Sequence, residues 1–460
     1  MRLYFIAFVL LSLGAKAQTC DCLQDFNFVR QHMEKNHPGF NSDIKDPNQP
    51  AYRAFVGSLE KKISADVNGK YCIAYLKQYL LYLKDHHINI NGSGVIVRED
   101  SLPAVEAFLR SPAFTSNERI SIDSAQLKHA EIYSTPDGTY TIALIKSPNE
   151  RRDYAGVILN SKTKLWEKGQ VKLEVKQLND SVLQVYSYLR NHSLNYDEVR
   201  GPDLPGWQKI ENKPESLSSG IFSFKLLDSN TAYISIRSFS GGYSTYLDSA
   251  YKAVMPELKK RRNLIIDVRG NGGGSDMNYR ALMPLIYTDP IIGDVVDYYA
   301  TPDNIKAYEQ LRDLYKSKPE IYGANGYQNW DYGVARMRSV APNTFVPMSG
   351  NMPSTTKYSV NKGYPRKVAI IYDRNCASSC EAFLFEARNS KKVVTVGQNS
   401  GGYTGYGNVM SITTPCGNTL SWTTTRYRNQ RQYDFVGIPP QHKVPEQENN
   451  WVRYTQQLLK

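Results

Sequence analysis

Apolar and polar positions change rhythm twice along the chain. Between residues 20 and 90 the apolar positions recur at helical spacing. Residues 25–35 are amphipathic and stop at Pro38-Gly39, and residues 51–63 and 71–84 carry two more helical patterns. After Asp85, His86 and His87, the alternation in Ile88-Asn89-Ile90 predicts a short strand. Between residues 95 and 215 short β patterns take over, at 139–145, 155–159 and 171–175, divided by Pro, Gly, Asn and Asp turns. Residues 201–206 read as a linker. From residue 218 strand and helix patterns alternate: strands at 233–236, 264–268, 368–372 and 393–396, with helices at 246–261 and from Ser379. That alternation is the mark of an α/β unit. The polar, Tyr-rich stretch 303–349 interrupts it as a lid or substrate wall. The expected organisation is a leader at 1–17, a helical domain at 18–92, a mostly β domain at 93–215 and an α/β domain at 216–460.

A length of 460 residues fits two or three cores, and 41% hydrophobic and 22% charged residues are ordinary for a globular protein. The net charge of +12 adds little, because its lysines and arginines are scattered and no nucleic-acid-binding signature is present. No nucleic-acid partner is expected. The start of the chain changes the picture more. Arg2, the apolar stretch 3–13 and Ala15-Lys16-Ala17 have the form of a secretory leader. Cleavage is expected after Ala17, with export to the periplasm or beyond. No stable membrane insertion is expected after the leader is removed, since spanning needs about 20 apolar residues. Six cysteines in an exported chain favour disulfides over metal. Cys72 is expected to bridge to Cys20 or Cys22, and Cys416 to Cys376 or Cys380. No metal or cofactor is expected.

Two strand-end turns carry the candidate chemistry. Ser378 lies in Cys376-Ala377-Ser378-Ser379-Cys380-Glu381, between an apolar strand and a helix. Asn271-Gly272-Gly273-Gly274 follows the strand at 264–268. A hydroxyl at one strand end and bare amides at the other suit acyl transfer, in which a serine needs a base and an oxyanion needs N–H donors. The seven histidines (His32, His37, His86, His87, His129, His192 and His442) leave the base open, with His442 a rival because Ser378, Asp434 and His442 follow α/β-hydrolase order. The Gly-x-Ser-x-Gly elbow of those hydrolases is missing. The glycine turn has neither a Walker ending nor dinucleotide-binding spacing.

Three of these segments resemble the C-terminal processing and tricorn-type serine peptidase family. They are the strand and glycine turn at 264–274, the nucleophile turn at 377–381, and Asp434-Phe435-Val436-Gly437-Ile438-Pro439-Pro440. The segment 81–87 resembles the family's Leu-x-Asp-x-His, and 233–239 resembles the strand before its central helix. The resemblance implies a ClpP/crotonase-like β-β-α catalytic domain and a peptide or protein substrate. It places the nucleophile at Ser378. The branch that uses a lysine base has it where this chain has Tyr403, so the resemblance points to the tricorn-like branch: His87 as base and Asp434 as orienting carboxylate. It also implies an oxyanion hole from the amides of Ser379 and Gly273. Asp434 departs from the usual glutamate, and His86 from the usual serine. The other readings left open are a non-catalytic ligand- or peptide-binding protein on the same scaffold and an esterase or amidase acting on small substrates.

Overall fold

The computed structural model of the chain describes residues 21–44, 46–92, 96–179, 182–200, 204, 206–210, 220–359, 363–445 and 447–460. The expected leader, Cys20 and most of the 201–206 linker lie outside the described residues. The fold is mixed α/β, with an N-terminal helical region and several sheets.

Helices α1 (Cys22–Asn36), α2 (Pro50–Ala65) and α3 (Cys72–Tyr82) open the chain. The carboxylate of Asp21 caps α1 by accepting the amide of Leu23, and Pro38 turns His37 into extended backbone, which ends the helix. Phe26, Val29 and Met33 of α1 are buried with Leu59, Leu76 and Tyr79 of the next two helices. A Cys22–Cys72 disulfide ties α1 to α3, the pairing expected of Cys72 with the N-terminal cysteines. Strand β1 (Asn89–Asn91) follows.

The next region is a seven-stranded antiparallel sheet of β2 (Glu131–Ser134), β3 (Tyr140–Lys146), β4 (Tyr154–Ser161), β5 (Val171–Asn179), β6 (Val182–Tyr188), β7 (Leu194–Arg200) and β8 (Gln208–Lys209), in the order β7-β6-β5-β4-β3-β2-β8. Three short helices at Leu102–Leu109, Pro112–Thr115 and Ser124–His129 precede it. The β-rich reading of the sequence misses them because so few turns leave no periodic stripe. The sheet meets α3 through Lys77, whose Nζ donates to Asn195 Oδ1 of β7 at 2.5 Å.

The remaining chain feeds two large sheets, besides a two-stranded pairing of Ile291–Ile292 with Thr355–Thr356. Strands β9 (Phe222–Leu226), β10 (Thr231–Ile236) and β11 (Asn263–Asp267), with α4 (Ser244–Leu258) between the last two, begin the first. The chain then leaves for β12 (Val296–Ala300), α5 (Pro302–Ser317), α6 (Gln328–Arg338) and β13 (Thr344–Pro347). It returns as β14 (Lys367–Tyr372), α7 (Ser379–Ala387) and β15 (Val393–Gly397), makes the hairpin β16 (Tyr406–Thr413) and β17 (Thr419–Tyr427), and closes with β18 (His442–Lys443) and α8 (Trp451–Leu459).

The first sheet has the order β18-β15-β14-β11-β10-β9 and is parallel except at β9. Its central strands are apolar on both faces, as a covered parallel sheet requires. Leu264, Ile266, Val368 and Ile370 face one core with α4 and α7, while Ile265, Ala369 and Ile371 face the other with Val452 and Leu459 of α8. In the second sheet β1, β17, β12 and β13 pair in that order, with β16 beside β17, all antiparallel. The stretch 303–349, read as a lid or wall, contributes a helical hairpin to this layer. Tyr308, Val334 and Met337 are buried there, and the Tyr308 hydroxyl lies 3.1 Å from Thr424 Oγ1.

Candidate active site

The site sits where neighbouring parallel strands β11 and β14 end, the place where open α/β sheets collect ligands. The turns after them are laced together. Val268 N donates to Ile371 O at 2.8 Å, Ala377 N to Asn271 O at 3.1 Å, and Gly270 N to Asp373 Oδ1 at 2.9 Å. Beneath them Asp267 is fully buried and holds Arg269 at 2.6 Å and Arg237 at 3.0 Å, and these cations keep its pKa at about 2 despite the burial. This is a structural cluster under the turn.

Ser378 occupies φ 55° and ψ −118°, a conformation that costs a non-glycine residue about 1–3 kcal/mol. Two devices hold it there. Cys376 and Cys380 form a disulfide across the turn, and Glu381 Oε2 accepts the Ser378 amide at 3.0 Å. This corrects the expected pairing of Cys416 with Cys376 or Cys380. The chain reversal at Ser378 brings those two Cα atoms to 5.4 Å, well within disulfide reach. Cys416 is disulfide-bonded elsewhere, at the tip of the β16–β17 hairpin beside the start of α1, where Asp25 Oδ1 accepts its amide.

The structure brings His87 to this hydroxyl, with Nε2 3.2 Å from Ser378 Oγ. β1 pairs with β17 directly after His87, so a segment from the N-terminal region is anchored beside the turn bearing Ser378. His442 sits on edge strand β18, exposed and paired with Val396. Lys391 is exposed and pairs with Asp289 at 3.0 Å.

The carboxylate facing His87 is not the one expected from the sequence. Asp434 Oδ1 accepts the amides of Thr404 and Gly405 at 2.9 and 2.7 Å rather than the imidazole. Its backbone bonds fix it within the turn at 402–405, and it reaches His87 only as a nearby charge. Burial raises its pKa to about 6. Asp85 instead lies with Oδ1 3.6 Å from His87 Nδ1 and accepts the His87 amide on the same oxygen at 2.8 Å. Its burial opposes ionisation, but the hydrogen bond from His37 and the pairing with His87 hold its carboxyl well below the usual range. For His87, burial disfavours the charged ring, yet Asp85, Asp434 and Glu381 outweigh it and raise the pKa above 6.5. Its neighbour His86 goes the other way. Burial drops it to about 4, with Nδ1 3.1 Å from Gly402 O and the ring against Phe435.

Both expected oxyanion donors adjoin Ser378, but they are not equally available. Ser379 N lies in the first turn of α7, where helix amides lack intrahelical acceptors, and it has no acceptor among the described residues. Gly273 N is already committed to Asn271 Oδ1 at 2.9 Å. Two glycine amides of that turn, Gly272 N and Gly274 N, have no acceptor among the described residues, and of these Gly272 lines the cleft beside Ser378. Gly273 serves by close approach. At φ +88°, a Cβ there would fall 2.4 Å from Ala377 O and 2.9 Å from Ser379 N. Gly273→Ala is therefore expected to displace the turn bearing Ser378 and with it any activity that depends on that hydroxyl, while costing about 1–3 kcal/mol of stability in denaturant titration.

The cleft has a volume of about 770 Å³ and is walled by His86, His87, Asn89, Arg374, Asn375 and Tyr403. Tyr403 stands edge-on to His87 at 5.4 Å between ring centres. A larger hollow of about 900 Å³ lies against the β2–β6 sheet and contains none of these groups. Sequence reasoning missed the position of Asp85 against the ring. The available signal was the Asp-x-His spacing, in which a carboxylate folds back onto the amide two residues on.

Residues 230–444 match the profile of Peptidase family S41. No curated protein matches the chain by sequence. The structure is similar to that of mature CPAF, with a TM-score of 0.52 and 12% identity over 96% of this chain and 96% of that one. It is likewise similar to mature CPAF complexed with lactacystin, with a TM-score of 0.51 and 13% identity over 96% of this chain and 97% of that one. At such identity the likeness is one of fold.

Proposed function

We propose that the chain, whose residues 230–444 match the profile of Peptidase family S41, is a serine-type peptidase in which Ser378 attacks the substrate carbonyl while His87 takes its proton. The observation that carries this reading is the 3.2 Å approach of His87 Nε2 to a hydroxyl held in strained backbone. An ionised Asp85 beside Nδ1 favours the tautomer with its proton there, leaving the Nε2 lone pair for Ser378. The imidazolium formed on attack is stabilised by Asp85 and, at longer range, by Asp434. The amides of Ser379 and Gly272 supply the oxyanion donors, supported by the N-terminal dipole of α7. His87 then protonates the leaving amine, and water releases the acyl group by the reverse proton path.

Export is part of the same reading. Two disulfides among the described residues fit an oxidising compartment. No helix among the described residues is long and apolar enough to cross a membrane.

The test is hydrolysis of a broad peptide library by the wild-type protein and by Ser378→Ala, with products read by mass spectrometry. Cleavage at peptide bonds by the first and not the second is expected, and a library left intact by both contradicts the reading. The pH profile gives a further check. A base is useful only when neutral, and the pKa of His87 is raised. The acid limb of kcat/KM should therefore have its midpoint above 6.5, with activity falling as pH drops through it. The protonated ring is the stabilised form, so the stability contributed by His87 is present at low pH and fades as activity appears. An acid limb centred below 6.5 contradicts this assignment.

A further inference from the structure

Behind Asp85, on the side away from the cleft, lies a second imidazole. His37 is completely buried at the end of α1. Its Nδ1 accepts the amide of Phe40 at 3.1 Å, so that nitrogen carries no proton. The ring proton therefore sits on Nε2, which donates to Asp85 Oδ2 at 3.0 Å. The hydroxyl of Thr423, on β17, donates to the same oxygen at 2.7 Å. The other oxygen, Oδ1, receives the His87 amide and faces His87 Nδ1. Each carboxylate oxygen thus has its own set of partners, and the carboxylate plane is fixed from both ends.

We propose that His37 is a positioning residue for the hydrolytic reaction, holding Asp85 from behind so that Oδ1 stays turned to His87 and Nε2 of His87 stays open to Ser378. The proposal rests on the reading of Ser378 and His87 as the reacting pair. The chemistry of a neutral imidazole suits the task. It donates one directed hydrogen bond without bringing a positive charge, so the Asp85 charge remains available to the imidazolium that forms on His87. A lysine or arginine in its place would neutralise that charge.

The local sequence builds the post. Pro38 sets His37 extended, and the next turn delivers the Phe40 amide back to Nδ1. Gly39 leaves room for the ring, since a Cβ there would lie 2.6 Å from both His37 Cε1 and Tyr406 Oη. The chain His37–Asp85–His87–Ser378 links the end of α1, the loop after α3 and the turn before α7 by successive contacts of 3.0, 3.6 and 3.2 Å.

A purely structural staple between α1 and that loop would use the same hydrogen bond, so the test needs readouts that a staple would not move. His37→Leu removes the donor, while His37→Gln returns an N–H of similar reach. For His37→Leu in the full-length protein, kcat should fall about 10–100-fold, the usual cost of losing an outer-shell partner, with KM little changed. His37→Gln should recover most of that loss. Thr423→Val, which removes the second donor to Oδ2, should lower kcat in the same sense and serves if His37→Leu does not fold. Nitrogen-15 NMR of histidine-labelled wild-type protein should show the His37 ring proton on Nε2, with Nδ1 as the acceptor. It should also show a low-field His87 Nδ1 proton that is lost in His37→Leu or Thr423→Val. Unchanged kcat in His37→Leu and Thr423→Val overturns the proposal, as does a proton found on His37 Nδ1. Equal losses in His37→Leu and His37→Gln that track a fall in Tm also overturn it. Wild-type protein inert to both peptides and fluorophosphonate overturns the hydrolase reading and this proposal with it. An active wild type indifferent to His37 overturns this proposal alone.

Discussion

Ser378→Ala and His87→Ala should each lower kcat on the order of 10⁴–10⁶-fold, and the double variant should be no worse than the poorer single one. In the proposed mechanism the two groups perform one act. The hydroxyl is a weak nucleophile until the ring removes its proton, and the ring has nothing to deprotonate once the hydroxyl is gone. Their 3.2 Å contact makes that coupling direct. Binding should survive in both variants, because Asn89, Arg374 and Tyr403 still line the cleft and the glycine turn keeps its amides. Steady-state kinetics on a single cleavable peptide checks this. Losses that multiply in the double variant would mean that the residues act independently.

Glu381→Ala is expected to have the largest effect on stability. This carboxylate is buried and accepts four hydrogen bonds: Ser400 Oγ at 2.5 Å and Gly402 N at 2.8 Å on one oxygen, Tyr403 N at 2.8 Å and Ser378 N at 3.0 Å on the other. Burial raises its pKa, so the charge is held at a desolvation cost that these donors only partly offset. Truncation leaves buried donors unpaired, at about 1–3 kcal/mol each. Some will find water, so a net loss of about 3–5 kcal/mol is expected, a large share of the roughly 5–15 kcal/mol that holds a protein folded. Glu381→Gln should lose less. Its oxygen can keep Ser378 N and Tyr403 N, and Ser400 Oγ can accept from the new amide, leaving Gly402 N alone unmet. Denaturant titration of both variants checks the order. Activity should fall in Glu381→Ala, because the turn bearing Ser378 loses its anchor, and be better kept in Glu381→Gln, where the bond to Ser378 N can persist.

Legibility in the sequence followed the range of the interactions. The buried strands β11 and β14 announce themselves as apolar runs ended by turn residues, and their boundaries in the structure differ from the sequence reading by a residue. The hairpin β16–β17 does not. Its outward Thr and Ser positions imitate loop composition, and its apolar positions become a core only against helices from the start of the chain. The same non-local pairing decides the site. No periodicity puts residue 87 beside residue 378. Only the resemblance to a peptidase family did so, and it carried the acid to Asp434, whereas the carboxylate next to the ring is two residues away in sequence. Whether an Asp-x-His segment folds its carboxylate onto the ring depends on what else holds that carboxylate. Here those partners are His37 and Thr423, both distant in sequence. The disulfide across the nucleophile turn was hidden for a related reason. Cysteines four apart meet only because the intervening serine takes a backbone conformation that composition does not reveal.

The most direct measurement is fluorophosphonate labelling of the full-length protein, with the adduct located by peptide mass spectrometry. A single adduct on Ser378, formed by the wild type and suppressed in His87→Ala, is the expected result. No adduct at Ser378, or one that forms as fast without His87, would contradict the account.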